Sequence, residues 1–185
     1  MHSYVRIDDM TKNNKLSDIV ITHEWQSPCG KLIIGSIGER ICLCDWIESK
    51  RRDFNDRRIM KRLGVWYREG MTRTIRRTLD ELEEYFAGER KSFDIPLIMA
   101  GTDFQKQIWR ALCEIPYGET RAYKDICMAV GHSGRGRSNA GQIAANAISI
   151  LVPCHRVIGS NGSLTGYAGG LEAKQYLLDL EARYR

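Results

Sequence analysis

Between residues 18 and 48, apolar positions alternate with polar ones or run together in three short blocks, "DIVITHEW", "KLIIGSIG" and "RICLCDWI". The intervening "SPCGK" and "GER" supply turn residues, so the pattern predicts a small antiparallel sheet. The period then changes. In "MTRTIRRTLDELEEYFAGER", Met71, Ile75, Leu79, Leu82 and Phe86 recur every three or four residues, which predicts an amphipathic helix terminated at Gly88. Residues 89–101 contain Pro96 and Gly101 and show no period, so a linker is expected there. "TDFQKQIWRALCEIPYGE" carries Phe104, Ile108, Ala111, Leu112 and Ile115 on one helical stripe, stopped by Pro116 and Gly118. Two short helical segments follow, "RAYKDICMAVG" and "RSNAGQIAAN", separated by the turn "GHSG"; this spacing suggests a helix-turn-helix. "AISILV" then predicts a buried strand, Asn161-Gly162 a hairpin-like turn, and "LEAKQYLLDLEARY" a closing amphipathic helix.

These elements imply a mixed α/β (α+β) fold. Residues 1–17 form an N-terminal extension, 18–95 an α/β domain with a small antiparallel sheet, and 96–185 a mostly helical domain with a winged-helix-like helix-turn-helix. A chain of 185 residues is long enough to bury a substantial core. No uncharged apolar stretch approaches the roughly 20 residues a membrane span needs, and "MHSYVRIDDMTKNNK" lacks the apolar region of a signal peptide. The expectation is a soluble cytoplasmic protein without membrane association. Six cysteines in such a protein are expected to be reduced thiols. Zinc held by Cys29, Cys42, Cys44 and His23 is the alternative. It is disfavoured because Cys42 and Cys44 on an alternating strand would share one face as small apolar residues, and no second ligand pair follows.

The net charge of +5 is compatible with an anionic partner, and its distribution matters more than its size. "SKRRDFNDRRIMKR" interleaves its cations with acids and reads as a solvated face, whereas "GHSGRGRSNAGQ" is basic without any acid and is the better footprint for phosphates.

Chemistry concentrates in "ISILVPCHRVIG". Pro153 ends regular pairing, which puts Cys154 at a strand terminus where its sulfur can face a cleft. His155 offers a base near neutral pH, and Arg156 a cation able to anchor the turn. Successive side chains on an extended backbone point apart, so base action by His155 on Cys154 would run through a water. An imidazole in this role needs a third group to orient it. Glu181, one turn beyond Leu177 and Leu178 on the inward face of the last helix, fits better than the solvent-facing Glu172 and Asp179; a structural ion pair with an arginine is its alternative use.

Residues 100–182 resemble the O6-alkylguanine-DNA alkyltransferases. The resemblance rests on "GTDFQKQIWRALCEIPYGET", "AYKDI" and "ILVPCHRVIGSNGSLTGYAGGLEAKQYLLDLE", with weaker likeness in "SPCGKLIIG" and "LDELEEYFAGER". It implies that Cys154 accepts the alkyl group, with His155 as water-relayed base, Glu181 as its partner, and Asn146 holding the turn around the sulfur. It also implies that Tyr123 approaches a flipped base and its 3′ phosphate. Either Arg137 or Arg135 would fill the gap left in the duplex. The helix carrying Ser138, Ala140 and Gly141 would lie in the minor groove. Val157, Tyr167, Ala168, Gly169 and Ser149 would form the guanine pocket. The implied partner is double-stranded DNA containing O6-alkylguanine, bound by a monomer without cofactor or metal. Two positions depart from the family pattern: Ala147 follows Asn146 where proline is usual, and Asn139 replaces a small apolar residue. A Cys-His hydrolase and a non-catalytic alkyl-lesion sensor are the rival readings. The first lacks an oxyanion-hole signature, and the second would not need Cys154.

Overall fold

A computed structural model describes residues 18–131 and 136–185, with side chains left undescribed for 136–139. The sheet is built from β1 (Ile19–Ser27), β2 (Gly30–Ile37), β3 (Arg40–Trp46) and β4 (Trp66–Glu69), in the order β3-β2-β1-β4. The three strands read from the sequence form an antiparallel meander, while the short β4 adds in parallel to β1. β4 carries no sequence pattern of its own, because an edge strand of four residues exposes most of its side chains.

A β-bulge lies between β2 and β3. Gly35 pairs with Leu43 and Ser36 with Ile41, leaving Cys42 as the extra residue. The extra residue resets the alternation. Cys42 therefore packs beside Val20, Ile59 and Ile98, while Cys44 packs with Ile41 and Trp46 in the main core, so the two thiols do not share a face as expected.

The amphipathic helix is α2 (Arg73–Phe86). Thr72 caps it by accepting from the Ile75 N–H at 3.0 Å, and Gly88 follows at φ 80°. Its buried stripe is Ile75, Leu79, Leu82 and Tyr85; Met71 lies before the cap and is 39% exposed. Each of these large apolar side chains contributes about 1.5–3 kcal/mol when fully buried. "RDFNDRRIMKRL" forms α1 (Arg52–Leu63), and it is not wholly the solvated face expected. Asn55 is buried and donates to Asp45 at 2.7 Å, and half-buried Arg58 donates to the Ala145 carbonyl at 2.6 Å.

Residues 89–101 hold no helix or long strand, but they are not a solvated linker. Phe93, Ile95, Leu97, Ile98, Met99 and Ala100 are buried, and Leu97 bridges Ile41. Phe93, Ile95 and Leu97 alternate with exposed Asp94 and half-buried Pro96, and the unbroken burial of residues 98–100 then erases that short period. The segment leads to α3 (Asp103–Cys113), whose capping box pairs Thr102 with Gln105. Next come β5 (Arg121–Ala122), α4 (Tyr123–Ala129) and α5 (Gly136–Ile143), the last two being the pair read as a helix-turn-helix. β6 (Val157–Ile158) pairs in parallel with β5, and α6 (Gly170–Arg183) closes the chain. One apolar cluster runs from Leu32 and Trp46 through α2 and α3 to Leu177 and Leu180, so both halves share a core.

"AISILV" is not a regular strand. Only isolated bridges occur there, Cys44 with Ile148 and Ser149 with Val152, and Ile150 turns back at φ 71°. The run is apolar because it is enclosed on all sides, the condition under which periodicity cannot separate strand from coil. Asn161-Gly162 makes a turn, with Gly162 at φ 79° and Gly159 N–H bonded to Ser163 O at 2.8 Å, but β6 pairs with β5 and not with a following hairpin strand.

Candidate active site

Pro153 stands at φ −81°, ψ 61°, and Cys154–Arg156 form one turn of 3-10 helix instead of an extended strand end. Successive side chains in such a turn diverge by about 120°, so Cys154 and His155 still point apart. Asn146 is hydrogen-bonded to this turn. Its Nδ2 donates to the Val152 carbonyl at 2.9 Å and to Cys154 Sγ at 3.2 Å, while its Oδ1 accepts from Ile148 N–H at 3.0 Å. A single buried amide thus ties together both ends of the apolar run and the sulfur.

His155 and Glu181 are both fully buried, with Nε2 and Oε1 2.7 Å apart. Arg156 binds the same carboxylate through Nε at 2.9 Å and Nη2 at 3.0 Å, and its Nη1 donates to the Ile115 carbonyl at 2.6 Å. The Tyr85 hydroxyl donates to Oε1 at 2.8 Å and the Gly118 N–H to Oε2 at 3.0 Å. Glu181 therefore serves both uses weighed from the sequence, partner of the imidazole and partner of an arginine. Burial by itself would raise the Glu181 pKa, but the hydrogen bonds and charges of His155 and Arg156 outweigh it and hold the carboxyl well below the usual range. Burial also pulls His155 below its ordinary value, only partly offset by Glu181. Burial thus favours the neutral imidazole, which meets Glu181 through a hydrogen bond.

The tautomer follows from these charges. An ionised carboxylate only accepts, so Nε2 carries the proton and Nδ1 presents its lone pair. Nδ1 is buried and has no hydrogen-bond partner among the described residues. Cys154 is 8% exposed, and burial pushes its thiol up to about 11, with the Asn146 hydrogen bond and the Lys174 charge opposing. At pH 7 only about one molecule in ten thousand would hold a thiolate unaided, which makes a nearby base necessary for sulfur chemistry.

Tyr167 packs edge-on against Trp46 at 5.8 Å and against the His155 ring at 6.4 Å. Tyr167, Ala168 and Gly169 line a cleft of about 670 Å³ together with Trp46, Lys50 and Ala144. A methyl group at Gly169 would stand 2.5 Å from the Trp46 ring, so only glycine permits this approach. Val157 is fully buried on β6, opposite Arg121, which places Tyr123 just beyond the β5 end of that pairing. Ser149 does not line the cleft: it is fully buried, its N–H bonded to the Cys44 carbonyl. Ala140 and Gly141 lie on α5, and a Cβ at Gly141 would meet nothing within 4 Å among the described residues. Arg137 and Ser138 fall on α5 with side chains outside the described residues, and Arg135 lies outside them altogether.

The sequence reading missed three parts of the site. Lys174 is fully buried and its Nζ clamps the carbonyls of Val157 at 2.6 Å and Thr165 at 2.8 Å, tying β6 to the loop that carries Tyr167. Its spacing from Leu177 and Glu181 put it on the inward face of α6, a signal available in the sequence. Tyr85 and the Gly118 N–H reach Glu181 from distant segments, and nothing local announces either.

Comparison with known proteins matches both halves of the chain. Residues 20–99 match the family described as "6-O-methylguanine DNA methyltransferase, ribonuclease-like domain", and residues 103–183 its "DNA binding domain". A methylated-DNA–protein-cysteine methyltransferase from Methanosarcina barkeri is 41% identical over 156 residues, covering 84% of this chain and 93% of that protein. The inducible enzyme of that name from Bacillus subtilis is 53% identical over 103 residues, 56% of this chain and 58% of its own. A crystal structure of Mycobacterium tuberculosis OGT in complex with DNA superposes with a TM-score of 0.76 at 37% identity, covering 90% of this chain and 94% of that one. With both halves matched in order, and the Pro-Cys-His-Arg turn backed by a buried carboxylate, this chain belongs to the 6-O-methylguanine DNA methyltransferase family.

Proposed function

We propose that this protein repairs DNA by direct reversal, moving the alkyl group of O6-alkylguanine onto Cys154 once and irreversibly. The observation that carries the reading is the set Asn146–Cys154 and His155–Glu181: a buried thiol held at 3.2 Å by an amide, beside an imidazole whose free lone pair is enforced by a carboxylate at 2.7 Å. An alkyl group on O6 is hidden inside a stacked duplex, so the damaged nucleotide must be rotated out and read in a pocket. Helix α5, with the small residues Ser138, Ala140 and Gly141, suits close approach to the minor groove, and Arg137 or Arg135 would replace the lost stacking. Tyr123 would meet the extruded base and its 3′ phosphate, with Val157, Tyr167, Ala168 and Gly169 around the guanine. Ser149, enclosed behind the Cys154 turn, would act on the pocket only through the backbone.

In the reaction, Sγ forms a bond to the alkyl carbon as the carbon–O6 bond breaks, and the bonding pair leaves with guanine. The thiol proton passes through a water to His155 Nδ1, and an equivalent proton ends on the guanine, so no oxidant, reductant or cofactor is consumed. Glu181 stabilises the imidazolium while the proton is held there. The thioether product has no carbonyl for water to attack, so the protein is spent. Binding by phosphate contacts keeps recognition tolerant of sequence, as repair requires. We read the working unit as a monomer in the cytoplasm.

Incubation with duplex DNA containing O6-methylguanine should add one methyl group, about 14 Da, to Cys154 and to no other residue. Repeated turnover, or label on another cysteine, would overturn the mechanism. Cys154→Ala should abolish transfer and still bind the duplex.

A further inference from the structure

Helix α1 belongs to the N-terminal half, yet it is fastened to the far end of α5. Arg58 Nη2 donates to the Ala145 carbonyl at 2.6 Å, and Arg51 Nη1 to the Gly141 carbonyl at 3.4 Å. Trp109 adds a bond from Nε1 to Gln142 O at 3.0 Å, and the Arg58 guanidinium lies 5.4 Å over the Trp109 ring. These donors meet carbonyls at the C-terminal end of α5, where the helix dipole is negative and cations are favoured. The orientation of α1 relative to α5 is thereby fixed by side chains and not only by the shared core.

The surface beside this joint is strongly basic. Between residues 50 and 62, Lys50, Arg51, Arg57, Lys61 and Arg62 are all exposed, against a single exposed acid, Asp53; Asp56 is paired with Arg52 at 2.6 Å. Residues 51, 54, 58 and 62 follow one another at spacings of three and four, so Arg62 continues the stripe that touches α5, and Arg57 and Lys61 flank it. Phe54, 56% exposed, sits on that stripe with the guanidinium groups of Arg51 and Arg58 6.0 and 5.9 Å from its ring centre. The stripe is a positive surface continuous with the helix assigned to the minor groove.

We infer that α1 is a second DNA contact, in which Arg57, Lys61 and Arg62 hold the phosphate backbone of the same duplex that α5 enters. The occupant follows from charge and continuity: a regular polyanion lying along α5 would run on past the α1 joint. This rests on DNA being the partner of the α5 surface. On that footing the N-terminal half adds affinity that carries no sequence information, since phosphate contacts position without specifying.

The test is the salt dependence of binding to an undamaged 24-base-pair duplex, chosen to extend beyond α5. Relative to the unaltered protein, Arg57→Gln/Lys61→Gln/Arg62→Gln should flatten the plot of log affinity against log salt by about 0.9 for each phosphate no longer neutralised. It should also weaken binding about tenfold or more at 0.15 M salt. The charge-retaining Arg57→Lys/Arg62→Lys should keep the original slope. Thermal melting, and the amount of methyl transferred to Cys154 at low salt and saturating O6-methylguanine duplex, should be unchanged in both variants. An unaltered slope and affinity in the triple variant would overturn the inference while leaving the DNA reading intact. Failure of the unaltered protein to bind the duplex would instead remove the footing itself.

Discussion

Glu181→Gln changes one atom of a buried carboxylate, and five donors judge the change. Oε1 accepts from Tyr85, His155 and Arg156 Nη2, and Oε2 from Arg156 Nε and the Gly118 N–H. A glutamine can keep only one of these oxygens. Its NH2 group must face either the three donors of the first set or the two of the second, so at least two hydrogen bonds become donor-to-donor contacts. The larger loss is charge, because Arg156 is only 7% exposed and keeps a guanidinium with no anion beside it. Breaking a buried pair by removing one partner costs about 3–5 kcal/mol. Urea denaturation at pH 7.5 should show a loss in that range for Glu181→Gln. Tyr85→Phe, which removes one hydrogen bond to the carboxylate and no charge, should cost less, about 1.5–3 kcal/mol. Alkyl transfer by the folded fraction should also slow, because a glutamine carbonyl stabilises an imidazolium poorly. A stability loss below about 1 kcal/mol would refute the account of Glu181 as the charge on which the turn depends.

The same residues set an acid limit. His155 is held below its ordinary 6.5, so the unfolded chain takes up a proton before the folded one, and stability falls as pH drops through the unfolded value. Glu181 is depressed as well, and its contribution, fully present above its unfolded value of about 4.5, is lost as pH falls towards the folded one. Denaturation midpoints should therefore be flat from pH 8 to 7 and then decline, first by no more than about 1.4 kcal/mol per pH unit for the single histidine, and more steeply below pH 4.5. His155→Gln should remove the first phase and leave the second. Gly169→Ala places a carbon 2.5 Å from the Trp46 ring. It should destabilise by about 1–3 kcal/mol in thermal melts and lower the rate of transfer by displacing Tyr167; an unchanged melt would mean that the loop shifts freely.

The sequence was legible wherever one face of an element meets solvent. β1, α2, α3 and α6 each keep a more exposed face, so their periods showed, whereas the largely buried β2 and β3 were placed by the turns that bound them. Pattern reading failed where enclosure was complete or where pairing was irregular. "AISILV" is surrounded by core and turns at Ile150, residues 97–100 are buried in succession, and Cys42 is the extra residue of a bulge. "SKRRDFNDRRIMKR" misled for the opposite reason: its high charge concealed Asn55 and Ile59, the two buried positions of α1.

By itself the sequence determined the chemistry on offer: a cysteine, a histidine and an arginine in consecutive positions, an asparagine eight residues upstream, and a glutamate on the inward face of the last helix. Local order sufficed, because covalent adjacency places the first three in one turn whatever surrounds them. Only the tertiary structure decided their states. The charge on Glu181, the proton on His155 Nε2 and the protonated Cys154 thiol depend on burial and on partners between 8 and 96 residues away in the chain. A pKa is a property of the surrounding dielectric and of neighbouring charges, and neither exists until distant segments have packed together.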